Sequence, residues 1–320
     1  MRLPATLPLL LAAAAAAQNP EIRATWIARD GLTSRAQIAA TLDQLAAANF
    51  NTVCVDVWTR GYTVHPSDVL VVGKGSNLLV CDAGFDGIVV QLGAACAGID
   101  VLADARVRAG GAAFLPVVAR RTVAAGLTGF EWAVGVPGSV GGAVRMNAGG
   151  HGSEMAECLV GVRVVDLRTG EDGFVAATDL GLTYRSSNIG DDQVVVHADI
   201  ALGAGEVVTG EAELAEIVRW RREHQPGGQN AGSVFTNPRG DSAGRLIDAA
   251  GCRGLRVGTA HVSNKHANFI QSDAGGSADD VFDLMVAVAR RVLDVHGVAL
   301  HPETRLVGFG DFDAAVRSAS

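Results

Sequence analysis

The chain has 320 residues, 48% of them hydrophobic, with 40 glycines, five cysteines and a formal net charge of −8. That length and apolar content exclude a disordered chain and predict a large core spread over two or three domains. The acidic balance, offset only by the short basic run Arg219, Arg221 and Arg222, excludes a nucleic-acid surface, and the scattered, odd-numbered cysteines exclude a disulfide framework and a CxxC zinc site.

The first seventeen residues, MRLPATLPLLLAAAAAA, combine one early positive charge, an apolar run and small residues at Ala15 and Ala17, the pattern of a secretory signal. At about fourteen residues the run is too short to span a bilayer, and no later stretch is a transmembrane candidate. From Glu21 to Trp58 the pattern predicts strand, helix, strand: IRATWIA, then Ile38, Leu42 and Leu45 on one helix face, then NTVCVDVW. This segment resembles the opening of secreted, glycosidase-like (β/α)-barrel proteins. The resemblance stops after about forty residues, and the barrel's later strands, which would carry its carboxylate pair, are absent.

From Val69 the chain reads VLVVGKGSNLLV, a buried strand leading into a glycine turn, where Gly73, Gly75, Ser76 and Asn77 can present amides and short polar side chains to a phosphate. The turn has neither the GxGxxG spacing of a dinucleotide fold nor the GKS or GKT end of a P-loop, and a plain strand-turn-strand explains it about as well. A helix is predicted over Phe114 to Ala125, with Leu115, Val118 and Val123 inward. Then comes GVPGSVGGAVRMNAGG, Gly135 to Gly150, in which Arg145 is the single charge. Glycine at this density lets another group approach the backbone closely, and valine interleaving predicts burial, with amides that need partners. The alternative is a glycine-rich bend between core strands.

Alternating β-branched residues from Gly161, with the turn RTGEDG, predict a hairpin in an α+β layer. A helix from Gly210 carries Leu214, Ile217 and Val218 inward and ends at His224-Gln225-Pro226. A later helix, capped by Ser277, turns Val281, Leu284, Met285, Val288 and Val292 to one side, and VALHPETRLVGFG is predicted as a strand containing Glu303.

Taken together, GKGSNLLV, GVPGSVGGAVRMNAGG, TYRSS, AGSVFTNP, SNKHANFI and HPETRLVG resemble, in order and from about Val69 to Gly308, the UDP-N-acetylenolpyruvoylglucosamine reductase family of peptidoglycan synthesis. The resemblance implies an α+β flavoprotein: an FAD-binding fold of the vanillyl-alcohol-oxidase type with a separate α/β substrate-binding domain. It implies a cytoplasmic enzyme in the pathway that sustains cell wall, cell shape and cell division. NADPH reduces FAD, and the reduced flavin converts the enolpyruvyl group of a UDP-sugar to UDP-N-acetylmuramate. The FAD would be held by Gly73, Gly75, Ser76, Asn77, Gly135, Pro137, Gly138, Ser139, Gly141, Gly142 and Asn147. Arg185, Ser233 and Glu303 match the family's catalytic trio: a cation against the developing enolate, a proton donor to carbon, and a carboxylic acid raised in pKa by burial. Tyr184 and Asn237 match substrate-binding positions. By residue type alone, Ser233 reads as a turn serine, Glu303 as a surface ion-pair partner and Arg185 as a loop charge. His266 reads as structural, and His151 as a turn cap or a neighbour of the flavin.

The family's phosphate-binding lysine upstream of the serine has no counterpart in RREHQPGGQN, which leaves Arg221 or Gln225 as substitutes. The family's usual opening is replaced by residues 1–17 and by a foreign βαβ segment at 18–68. Residues 69–205 are then expected as the FAD-binding domain, 206–300 as the substrate domain and 301–320 as a returning strand and tail, in a monomer. A second reading is a non-catalytic fusion whose FAD site does not close. The signal-like N-terminus conflicts with a cytoplasmic location.

Overall fold

The computed structural model describes residues 69–319 except 86 and 229, together with the backbone of the strands Ala24–Ala28 and Thr52–Asp56. Those two strands pair in parallel, Ala24 opposite Thr52, the arrangement expected of a strand-helix-strand unit. The signal-like run and the helix predicted between the strands lie outside the described residues.

One core forms around a five-stranded antiparallel sheet in the order Asp172–Ala176, Leu159–Asp166, Gln193–Ala201, Arg106–Gly110, Ile99–Val101. The two-residue alternation read from the sequence is visible in the second of these: Val162 and Val164 are buried, while Arg163 faces solvent and pairs with Asp172 across the hairpin at 2.8 Å. Helix Leu115–Ala124 buries Leu115, Val118, Ala119, Thr122 and Val123, one continuous face at helical spacing, with Pro116 in the first turn, where its missing N–H costs nothing. A helix beginning at Val207, three residues earlier than predicted, runs to His224. Its Leu214 and Ile217 join this first core.

A second core forms around helix Ala278–His296, which buries Leu284, Met285, Val288, Ala289 and Val292. Ser277 caps it by accepting from the Asp280 amide at 3.1 Å, and Gly297, at φ 66°, ends it in the left-handed conformation that favours glycine. A small antiparallel sheet of Arg256–Val257, Ala260–Val262 and Ile270–Ser272, and helix Ala243–Ala249, complete this α/β layer.

The C-terminal segment differs from its prediction. The strand spans only Arg305–Val307, because Pro302 has no N–H to donate; Pro302 joins Phe235 in a single bridge and Glu303 sits in the extended stretch between. The tail then forms helix Phe312–Ser318, whose Phe312 and Val316 pack into the second core. Strand Arg305–Val307 pairs in parallel with Leu78–Val80, bringing Glu303 beside the turn at residues 73–77.

Candidate active site

The two glycine segments identified in the sequence meet across a cavity of about 460 Å³, lined by Gly73–Leu78, Val136–Ser139, Arg185, Arg221, Ser233, Glu303 and Arg305 among others. On one wall, the strand pairing ends when the Val72 N–H donates to Val90 O at 2.8 Å, and the backbone N–H groups from Gly73 through Asn77 then make no hydrogen bond to any described residue. Consecutive unbonded amides form a concave nest suited to an anion. The Asn77 side chain fixes the end of the turn by donating to Glu303 O at 3.0 Å, while the Arg305 N–H donates to Asn77 O at 3.0 Å. Gly73 is required by the facing wall: a Cβ there would lie 2.3 Å from Ser139 Oγ.

That facing wall differs from the sequence expectation of an open, amide-rich ribbon. Ser139 caps a short helix, Val140–Arg145, accepting from the Gly142 N–H at 3.4 Å. The Val140 and Gly141 N–H groups donate to Ala113 and Gly111 carbonyls, both at 2.9 Å. Among the described residues the Gly138 and Ser139 amides have no acceptor and remain unbonded at the cavity. Gly142 lines the cavity and Gly141 a smaller adjoining pocket, whereas Gly135 packs against Ile217 and Arg221 behind it.

Arg185 sits at the second corner of a tight turn closed by two backbone bonds between Thr183 and Ser186, and takes a φ of 57°, a conformation that costs an L-residue energy unless its surroundings fix it. Its Nε donates to Glu303 Oε1 at 2.9 Å, Nη1 to Asn147 O at 3.4 Å and Nη2 to Gly149 O at 3.2 Å. Tyr184 is half exposed, outside the cavity, with its ring 5.0 Å from the Arg185 guanidinium. Burial pushes the Glu303 carboxyl above the ordinary glutamate range, and the Arg185 guanidinium pulls it back only in part. Asn147 is fully buried and does not line the cavity; its side chain donates to Thr183 O and accepts from the Ala156 N–H.

Ser233 follows Gly232, whose φ is 78°, in a loop held by Asn230, which accepts from the Gly232 N–H at 3.0 Å. The next residues are pinned by Asn268: its side chain accepts from Phe235 N–H and donates to Phe235 O, and the Glu303 N–H donates to Val234 O at 2.9 Å. Ser233 and Glu303 are thus set on adjacent segments of one wall. Asn237 lies outside the cavity lining, its Oδ1 accepting from Ala243 N–H at 3.0 Å at the start of helix Ala243–Ala249.

Three cavity residues, Arg145, Arg305 and Lys74, had no assigned place in the sequence. Arg145 and Arg305 both pair with Asp191, the latter at 2.7 Å, and Arg305 Nε is buried without a partner. Period-two spacing from Glu303 could have found Arg305, because both face the same side of an extended segment. With Lys74, Arg185 and Arg221, the lining holds five cationic side chains. Arg221 makes no ion pair among the described residues, its pKa is lowered by burial, and Gln225 beside it leaves Oε1 buried and unbonded. Of the histidines, His266 contacts Phe269 edge-on and accepts from Asn268 N–H, a structural role, while His151 packs against Trp220.

The family profile for the C-terminal domain of UDP-N-acetylenolpyruvoylglucosamine reductase matches residues 224–307, and that of an FAD binding domain matches residues 62–171. UDP-N-acetylenolpyruvoylglucosamine reductase of Paramagnetospirillum magneticum is 44% identical over 241 residues, which is 75% of this chain and 78% of the relative. The chain belongs to the UDP-N-acetylenolpyruvoylglucosamine reductase family. The reductase of Acidiphilium cryptum is 45% identical over 244 residues, covering 75% of this chain and 77% of its own. The crystal structure of the Thermus caldophilus reductase superposes with a TM-score of 0.67 at 36% identity, over 75% of this chain and 85% of that one. The fold accordingly joins an FAD-binding domain to the α/β C-terminal domain of this reductase family, and the protein is an FAD-dependent oxidoreductase. The residues present fit FAD: a run of amides with no acceptor among the described residues, a glycine that no larger residue could replace without moving Ser139, and Lys74 and Arg221, without an ion pair among those residues, are what a dinucleotide pyrophosphate requires.

Proposed function

We propose that this chain reduces the enolpyruvyl ether of UDP-N-acetylglucosamine to UDP-N-acetylmuramate. The observation that carries the reading is the convergence of the Arg185–Glu303 pair and Ser233 on the cavity whose floor is the Gly73–Asn77 nest. Bound FAD supplies a two-electron carrier between NADPH and the substrate. The amides of Gly73–Asn77, with Gly138 and Ser139, hold its pyrophosphate; Gly142 and Gly141 shape the wall beside it. Negative charge grows on the substrate's carboxyl-bearing end as its double bond is saturated. Arg185 meets that charge in a site sheltered from water, where a fixed guanidinium is worth far more than in solution. Glu303, kept protonated to higher pH by burial, donates to the same carboxylate, and Ser233 delivers a proton to the carbon beside it. Arg221 takes the place of a phosphate-binding lysine, Asn237 keeps its Nδ2 donor for the nucleotide, and Tyr184 buttresses Arg185.

The protein acts as a monomer in the cytoplasm, where NADPH and UDP-sugars are found. Among the described residues no helix is long and apolar enough to cross a membrane.

Purified protein should be yellow and, without oxygen, should oxidise NADPH beyond one equivalent per flavin only when the enolpyruvyl substrate is supplied. Arg185→Ala should slow reduction of that substrate about 100- to 1000-fold, the usual cost of one donor to a developing anion, while leaving flavin reduction by NADPH intact. Retention of wild-type turnover in this variant would overturn the assignment. A protonated Glu303 is needed, and its pKa is raised, so the rate should fall as pH rises through a limb above the ordinary glutamate range. Glu303→Gln should be slow at every pH and lack that limb. A limb unchanged in Glu303→Gln would assign it elsewhere.

A further inference from the structure

We infer that Asn147 is a positioning residue that sets Arg185 in its working conformation. The inference rests on the role of Arg185 proposed above. Asn147 is 0% exposed and at φ 37° occupies the left-handed region itself. Its three polar groups beyond the N–H are all engaged: Nδ2 donates to Thr183 O at 3.0 Å, Oδ1 accepts from Ala156 N–H at 2.9 Å, and the carbonyl oxygen accepts from Arg185 Nη1 at 3.4 Å. One residue therefore grips both the backbone at the root of the Thr183–Ser186 turn and the guanidinium at its tip. That turn needs such a grip, because Arg185 stands at φ 57° and a free chain would relax out of it. The segment 145–149 holds the rest of the hairpin too: Arg145 O accepts from Ser187 Oγ at 2.7 Å, and Gly149 O accepts from Arg185 Nη2.

The geometry also separates this role from direct contact with the cofactor. Both side-chain amide groups of Asn147 are satisfied within the protein, and the residue is absent from the cavity lining, so no donor or acceptor of its side chain faces a ligand. Its effect must pass through Arg185.

Asn147→Asp tests this with least change in shape. Oδ1 can still accept from Ala156, while the second oxygen is set against the Thr183 carbonyl in place of a donor. Asn147→Gly removes both side-chain bonds but keeps φ 37° comfortable. In the FAD-loaded protein, stopped-flow absorbance should show flavin reduction by NADPH unchanged and reoxidation by the enolpyruvyl substrate slowed about 100-fold in the Asp variant, the effect of misplacing a reacting group by about 1 Å. The loss should fall on kcat more than on KM. FAD affinity, read by fluorescence quenching, should stay within about twofold of wild type. In an Arg185→Ala background, either substitution should add less than about a threefold further loss, because the residue it acts through is gone.

Weakened FAD binding with normal reoxidation would overturn the inference and make Asn147 a cofactor ligand. Full additivity with Arg185→Ala, or failure of both variants to fold, would overturn it as well, leaving Asn147 a fold-determining residue alone. If Arg185→Ala itself has no effect on reoxidation, the proposed function fails first, and the Asn147 result is then read on the conformation of the turn alone: the amide exchange of Arg185 and Ser186, expected to rise in both variants, decides it.

Discussion

Two glycine-rich segments face each other across the cavity, and they treat their amides in opposite ways. The turn from Gly73 to Asn77 leaves its N–H groups unbonded; the richer stretch from Gly135 to Gly150 donates most of its own to Ser139, to the Gly111 and Ala113 carbonyls and to a short helix. Glycine content alone is therefore no measure of anion binding. What decides it is whether a capping side chain or a neighbouring strand edge already supplies the acceptors. In the Gly73 turn no described residue does, and in the longer stretch Ser139 and the loop that follows the strand ending at Gly110 do.

The largest expected effect comes from forcing the two walls apart. Gly73→Ala would place a methyl group 2.3 Å from Ser139 Oγ, so either the turn or the helix cap must move. Overpacking of this kind costs about 1–3 kcal/mol, and since the displaced atoms bound the nest, FAD affinity should fall about 10- to 100-fold in equilibrium titration. The double variant Gly73→Ala with Ser139→Ala should recover much of the loss, because with the hydroxyl gone the nearest neighbour would be the residue-139 Cβ at 3.5 Å, an ordinary contact. The recovery should stop short of wild type by the value of the lost cap, about 0.5–1 kcal/mol. If the double variant binds FAD no better than Gly73→Ala, the steric account of the two walls is wrong.

The same comparison explains what could be read in advance. Helices such as Leu115–Ala124 and Ala278–His296 were legible because their buried residues recur at helical spacing and, in the second, because the Ser277 cap is local. The approach of Arg185, Ser233 and Glu303 was legible only through the family resemblance, since each comes from a different part of the chain and their meeting depends on the parallel pairing of Arg305–Val307 with Leu78–Val80. The helix at Val140–Arg145 was hidden by composition: two glycines in six residues read as a ribbon, and only the hydroxyl of Ser139 reveals a helix start. The Arg145–Asp191–Arg305 grouping had no sequence signal at all, because its members lie 46 and 114 residues apart and meet by tertiary packing. Asn147 sits within the glycine stretch, but spacing says nothing about which way a side chain at φ 37° will turn.

The smallest expected effect is also the sharpest test of the difference between the walls. Gly142 lies inside the Val140–Arg145 helix, and a Cβ built there would meet only Ser139 Oγ, at 3.5 Å, a normal van der Waals contact. Its φ is not positive, so alanine fits the backbone. Gly142→Ala should then stabilise the protein by about 0.5–1 kcal/mol, through helix propensity and a less flexible unfolded chain, and raise Tm by about 2 °C. FAD affinity should change by no more than about twofold, since the Gly142 amide already donates to Ser139 and offers nothing to a ligand. A tenfold loss of affinity with unchanged Tm would mean that the cofactor's backbone passes against this wall within reach of a methyl group. The longer glycine stretch would then be the cradle by close approach, as the Gly73 turn is by its free amides, and the two segments would be partners in one contact instead of opposites.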